Sequence, residues 1–278
     1  MAKLADRKFR LRFWRMSEKE RLCQAAPRPR RGGFIGLSRY LPDRRDLNRS
    51  FPGSPTGSLA SRLAHTFTEE IVRNATHGID LHTGAVHRSN LPQVRACLDD
   101  EETSRLAHAF GVPVIINANV RDGSLRQEVY EQKIPMLLYE AGEALRFDES
   151  AIRAGVQGAV SVMAALGMLP DRKAPTTTAE PFVARSSHWE RAPESGILRS
   201  RAALGARVKA GDRLGKIADP LGVDDVQVLA SRSGIIIGRS ELPLVNAGDA
   251  LFHIAMFDRP DAVSKSVDGF QEELNELD

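Results

Sequence analysis

Three short segments gather the side chains that can do anion-binding, acid–base or metal chemistry. The first, R-Y-L-P-D-R-R-D-L-N-R-S-F-P-G from Arg39 to Gly53, sets several guanidinium groups and an amide in an irregular stretch just ahead of a helix. A guanidinium is a planar fork of N–H donors that matches a carboxylate two bonds at a time. Arg39, Asn48 and Arg49 can therefore hold a substrate carboxylate and polarise an amide carbonyl, although a solvated basic loop has the same composition. The second segment, I-D-L-H-T-G from Ile79 to Gly84, ends a short strand in a lone histidine, His82, which is either a metal ligand or a structural imidazole. The third, Y-E-A-G from Tyr139 to Gly142, puts Glu140 at another strand end. There it can act as general base on a metal-bound water, or serve as an ordinary cap or ion-pair partner.

The elements that must position these groups alternate between strand and helix from Gly36 onward, the pattern of an α/β fold. Ser58 is a good N-cap, and Leu59, Leu63, Phe67 and Ile71 recur every four residues, which predicts an amphipathic helix of about 16 residues. A strand over 78–81 then delivers His82 at its carboxyl end, where ligands gather in open α/β sheets. A helix near 101–110 and a strand at 112–117 follow. Next come a helix near 125–132, a strand at 135–139 running into Glu140, and a long helix capped by Asp148 with Ile152, Val156, Val160, Met163 and Leu166 on one face. The polar, proline-containing stretch 171–181 closes this region as a linker.

Beyond Phe182 short β-rich runs are punctuated by glycines, and V-x-A-G-D-x-L-x-x-I occurs twice, from Val208 to Ile217 and from Val245 to Ile254. A tight G-D turn repeated in two halves predicts a small flattened barrel over 182–257, similar to the sandwich-hybrid barrels of biotinyl and lipoyl domains. The tip Arg232-Ser-Gly-Ile-Ile lacks their modified lysine, so a structural barrel is expected rather than a carrier. The acidic tail, 258–278, is expected to fray, with a short helix from Val267 as the other reading.

Composition bounds the partners. With 278 residues and 42% apolar residues the chain can bury a core, which excludes global disorder. The apolar run from Gly158 to Leu169 falls well short of the roughly 20 residues a bilayer span needs. Two cysteines, Cys23 and Cys97, suffice for neither a disulfide framework nor a four-sulfur metal site, and no signal peptide is recognisable, so the expected address is a reducing cytoplasm. The net charge of +3 hides an asymmetry: residues 1–31 hold 11 basic residues against three acids. Such an arm suits nucleic acid or an anionic surface, but it lacks aromatic interleaving and apolar periodicity, and the plainer expectation for residues 1–35 is a poorly structured leader.

Taken in order and spacing, D-L-N-R-S-F-P-G, I-D-L-H-T-G and E-A-G resemble the signatures of the succinylglutamate desuccinylase/aspartoacylase family, over roughly Gly36 to Ala255. The resemblance implies a carboxypeptidase-like mixed sheet flanked by helices over 36–170, followed by the β-rich part, and a zinc-dependent deacylase of small N-acyl amino acids or related amides. It assigns His82 to Zn(2+) and Glu140 to the general base and proton shuttle. Arg49 with Asn48 would polarise the carbonyl or bind a carboxylate, and Arg39 would anchor the substrate carboxylate. The sequence departs from the family at one point. The His-x-x-Glu motif that supplies two further zinc ligands upstream of D-L-N-R is missing, since no histidine precedes His65, and a catalytic zinc takes three protein ligands. His65 with Glu69, and His77, Asp80 and His87 around His82, are the available substitutes. Residues 1–35 stand where the missing strand and metal loop belong, which suggests a start that lost its register or was truncated, an N-terminally incomplete sheet, weak zinc binding and low activity. The competing expectation is a metal-free remnant that binds a small carboxylate. A membrane is excluded as partner, nucleic acid is the least supported one, and a homo-oligomer is left open.

Overall fold

The computed structural model describes residues 12–16, 21–25, 36–118, 122–169, 181–219, 221 and 225–276. In chain order its elements begin with strands β1 (Arg12–Met16) and β2 (Arg21–Ala25), helix α1 (Leu59–Glu70), strands β3 (Gly78–His82) and β4 (Arg88–Ala96), and helix α2 (Glu101–Ala109). Strand β5 (Val114–Asn117), helix α3 (Leu125–Glu131), strand β6 (Met136–Gly142), helix α4 (Glu149–Ala165) and strands β7 (Phe182–Ala184), β8 (Ser186–Arg191), β9 (Gly196–Ser200) and β10 (Arg207–Val208) follow. The chain closes with β11 (Arg213–Ala218), β12 (Asp225–Leu229), β13 (Gly234–Ser240), β14 (Leu244–Val245), β15 (Ala250–Met256) and helix α5 (Pro260–Glu276). Two compact units emerge, one of residues 1–76, 120–134 and 163–173 and one of residues 77–119, 135–162 and 174–278.

In the first unit β1 and β2 pair antiparallel, from Arg12 opposite Ala25 to Met16 opposite Arg21. This corrects the expectation of an unstructured leader for those ten residues; the rest of 1–35, and most of the expected linker, lie outside the described residues. Ser58 caps α1 as anticipated, its hydroxyl accepting from Ser61 N–H at 3.3 Å. The helix is shorter than its periodicity suggests: it ends at Glu70 and passes into a 3-10 turn over Val72–Asn74. The Asn74 amide donates to the carbonyl of Glu70 at 3.2 Å, satisfying one of the acceptors every helix end leaves open. The deepest face of α1 is also not the leucine stripe but the small residues Ala60, Ala64 and Thr68. The reason is a close backbone approach. Gly53 has φ +84, and a Cβ there would stand 2.1 Å from the Ser61 carbonyl oxygen, so only glycine over a small-residue face lets the loop lie on the helix.

The second unit is built on a nine-stranded mixed sheet with the path β3-β6-β4-β13-β15-β8; β5 also pairs with β4, β7 with β5 and β10 with β13. β3 and β6 run parallel, and β4 is antiparallel to β6. On one face the Phe110 ring stacks on Tyr139 at 5.2 Å, and Gly158 of α4 leaves room for it. Asp148 caps α4 as expected, accepting from Ala151 N–H at 2.9 Å. β4 escapes the sequence reading because Pro92 interrupts it, and a proline argues against a central strand. The structure resolves the conflict with a register shift against β6 between Asn90 and Gln93, which leaves the proline in the irregularity.

The C-terminal strands correct the expected barrel. Among the described residues they divide between two sheets: β12-β11-β9-β14 form one, while β7, β8, β10, β13 and β15 extend the large sheet, so no closed barrel forms. The junction is β13, which pairs with β4 through Gly238 opposite Asn90. The internal duplication itself is real and longer than the motif first read. Asp212 accepts from Lys209 N–H and Asp249 from Asn246 N–H, both at 2.8 Å. Ser233 accepts from Ala210 N–H at 3.0 Å and Ser195 from Ala247 N–H at 2.9 Å, so A-x-x-S-G-I at Ala192–Ile197 and Ala230–Ile235 belongs to the same repeat. Val208, Leu214 and Ile217 share one core with Val245, Leu251 and Ile254. The tail does not fray: Val263, Val267, Phe270 and Leu274 make one buried stripe of α5. No helix among the described residues is long and apolar enough to cross a membrane.

Candidate functional site

The candidate residues fall in both units, and each group is built by its own local chemistry. In the first unit most of D-L-N-R-S-F-P-G is structural. Asp46 opens a 3-10 turn over Leu47–Arg49 by accepting from Asn48 N–H, and Leu47 is buried. Asn48 Oδ1 accepts from Leu125 N–H at 2.9 Å, which ties the turn to the start of α3. Phe51 is buried edge-on against Phe67 at 5.9 Å. Arg39 reaches Asp46, its own side chain being largely exposed while the carboxylate is not. Arg49 is exposed and donates to the Asn48 carbonyl. The two arginines singled out, Arg39 and Arg49, are thus both accessible, and Arg39 already holds a carboxylate of its own chain.

In the second unit the β3–β6 register places His82 directly beside Glu140 on neighbouring parallel strands, at their carboxyl ends. Asp80 stands two residues before His82, on the same side of β3 by strand alternation. Its buried carboxylate lies 2.8 Å from His82 Nε2. Glu140 Oε2 lies 2.7 Å from Nε of Arg95 on β4, with both side chains about four-fifths buried. The loops beyond the strands are joined by Glu143, which accepts from His87 N–H at 3.1 Å and from Arg146 Nε at 3.0 Å. Sequence reasoning missed Arg95 because it missed β4. The signal was present in Gln93 and Arg95, two polar residues at strand spacing within an otherwise apolar run.

Further along the sheet, Trp189 has the Arg88 guanidinium 4.4 Å from its ring centroid and the His253 ring stacked on it, 4.6 Å away and nearly parallel. Burial, reinforced by the nearby charges of Arg95, His188 and Arg88, holds the His253 imidazole neutral down to about pH 3, against an ordinary value of 6.5. On the opposite flank of the site, burial pushes the Tyr139 phenol well above its ordinary value, with Asp148 adding to the effect, and its hydroxyl donates to the Ala151 carbonyl at 2.7 Å.

Among the described residues no group of three or more His, Cys, Asp or Glu side chains can hold a metal ion. Each candidate imidazole has a carboxylate within 4 Å: Asp80 for His82, Glu69 at 3.9 Å for His65, Glu102 at 3.5 Å for His77 and Glu143 at 3.8 Å for His87. One imidazole and one carboxylate fall short of the three protein ligands a catalytic zinc takes, so the described residues do not fit that ion.

Residues 31–166 match the family described as the succinylglutamate desuccinylase/aspartoacylase catalytic domain. A curated N-alpha-acetyl-L-2,4-diaminobutyric acid deacetylase of Halomonas elongata is 27% identical over 221 residues, covering 76% of this chain and 65% of that protein, so the match spans just under two thirds of the relative. Among solved structures, a succinylglutamate desuccinylase/aspartoacylase from Rhodobacter sphaeroides superposes with TM-score 0.71 at 25% identity, covering 81% of this chain and 71% of the other. The product-bound ectoine utilization protein EutE (DoeB) from Ruegeria pomeroyi shares the fold with TM-score 0.71 at 24% identity, covering 80% and 71%.

Proposed function

We propose that the chain, whose residues 31–166 match the succinylglutamate desuccinylase/aspartoacylase catalytic domain, hydrolyses the amide bond of a small N-acylated amino acid. The observation that carries the reading is the register of β3 and β6, which sets His82 and Glu140 side by side at the carboxyl ends of two parallel strands. Glu140 accepts a proton from water, and the resulting hydroxide adds to the amide carbonyl carbon. Collapse breaks the C–N bond as the proton passes from Glu140 to the leaving nitrogen, releasing an amine and a carboxylic acid that gives up its proton to solvent. By the family resemblance, Arg39 and Arg49 with Asn48 are the candidates for binding the acyl or amino-acid carboxylate. Zinc dependence is the family's expectation; because the described donors do not fit the ion, the steps assigned here use only the protein's own groups.

One observation favours a second reading. His82 is engaged by Asp80 and Glu140 by Arg95, so both reactive groups are already satisfied within the chain. A protein of that kind retains carboxylate binding without turnover. Amine release from N-α-acetyl-2,4-diaminobutyrate and N-succinylglutamate, measured with zinc, with a chelator and with neither, separates the two. Hydrolysis that falls about 100-fold or more in Glu140→Gln supports the enzyme. Calorimetric binding of the carboxylate products with no turnover in any condition supports the second reading.

A further inference from the structure

We propose that Gln93 and Arg95 form a positioning relay that fixes the Glu140 carboxylate; this rests on Glu140 being the base. Gln93 is fully buried, a place where an amide persists only if its polar ends are used. It lies opposite Glu140 in the β4–β6 register. Its Nε2 donates to the Ile237 carbonyl of β13 at 3.3 Å, and its Oε1 accepts from Arg95 Nη2 at 3.5 Å. Both are long bonds, so their value is directional: they hold the guanidinium from behind. Arg95 follows two residues later on the same side of β4 and brings Nε to 2.7 Å from Glu140 Oε2. The N–H is not aimed along that line, so the contact is an attraction between opposite charges at close range rather than an aligned hydrogen bond.

Among the described residues Glu140 is the only acid within ion-pair distance of Arg95, and Arg95 the only base within that distance of Glu140. In the chain that holds the carboxylate, β13 contributes the Ile237 carbonyl, β4 the Gln93 amide and the Arg95 guanidinium, and β6 Glu140 itself. A base held this way points in one direction, as a proton transfer in register with attack requires.

The test uses the full chain labelled with 15N-arginine, with far-UV and near-UV circular dichroism to confirm folding. Arg95→Lys identifies the Arg95 Nε–H resonance by its disappearance. The relay expects that resonance to move in both Glu140→Gln and Gln93→Leu. In turnover, Arg95→Met is expected to lower kcat by about 100-fold with KM within about threefold, since a misplaced base loses rate rather than binding. Gln93→Leu should lose about tenfold in kcat, and Arg95→Lys should recover much of the Arg95→Met loss, because a cation of similar reach returns. An Arg95 resonance indifferent to Glu140→Gln overturns the relay, and so does a loss confined to KM or an Arg95→Lys protein no better than Arg95→Met. If the wild-type protein hydrolyses none of the substrates, the proposed function fails, and the resonance shifts alone decide whether the relay exists.

Discussion

His253 gives the folded state an acid-sensitive component whose size follows from its surroundings. An unfolded chain protonates this imidazole near pH 6.5, whereas the folded sheet keeps it neutral to about pH 3 because burial, then Arg95, His188 and Arg88, oppose a charge there. Between those limits the unfolded state binds one more proton than the folded state, so stability rises with pH through that window. The contribution is complete above pH 6.5 and is lost as the pH falls, at about 1.4 kcal/mol per pH unit and about 4–5 kcal/mol in all. His253→Leu removes the titration while keeping similar bulk beside Trp189. Urea unfolding of both proteins across about pH 4.5 to 7 isolates the effect, since every other titrating group cancels in the difference. At the acid end of that range the wild type should have lost about 2.5 kcal/mol relative to the variant compared with its standing at pH 7. Parallel stability curves would refute the reasoning, as would an imidazole proton resonance of the folded protein that titrates near its ordinary value.

Two further outcomes rest on packing and on the internal repeat. Gly158→Ala should cost about 1–3 kcal/mol in urea unfolding, because its new methyl would meet the Phe110 ring at 2.1 Å and that ring is already held by Tyr139. Ser195→Ala and Ser233→Ala should each cost about 1 kcal/mol, and the same amount within error, since each removes the same hydroxyl-to-backbone bond at an equivalent turn. Unequal losses would show that the two halves no longer bear the same strain.

What could be read from the sequence depended on whether a residue's local signal agreed with its place in the fold. Ser58 and Asp148 announced the helices they cap, because a side-chain oxygen beside an apolar period has few other uses. β3 and β6 were visible as apolar runs ending in chemistry-bearing residues, so His82 and Glu140 were legible as candidates. Their neighbour Arg95 was not, since Pro92 carries a strong local argument against the strand that presents it. The buried face of α1 was misread for a related reason: burial there is decided by the closeness of a backbone loop, which favours Ala60 and Ala64 over larger residues. In α5 the acids concealed a regular stripe of Val263, Val267, Phe270 and Leu274, and only the sheet it covers makes that stripe significant. In the first unit, much of the segment that looked like a binding loop proved to be capping and packing, with Asn48 and Phe51 spent on neighbouring elements.

The pairing of β13 with β4 also means the C-terminal third of the chain is no detachable passenger. Ending the polypeptide near residue 181 would strip backbone partners from the middle of the large sheet and uncover Leu91, Val114 and Ile116. It would also take away the Ile237 carbonyl that anchors Gln93. Evolutionary trimming or laboratory minimisation of this protein would therefore have to preserve the repeat region even if that region never touches a substrate.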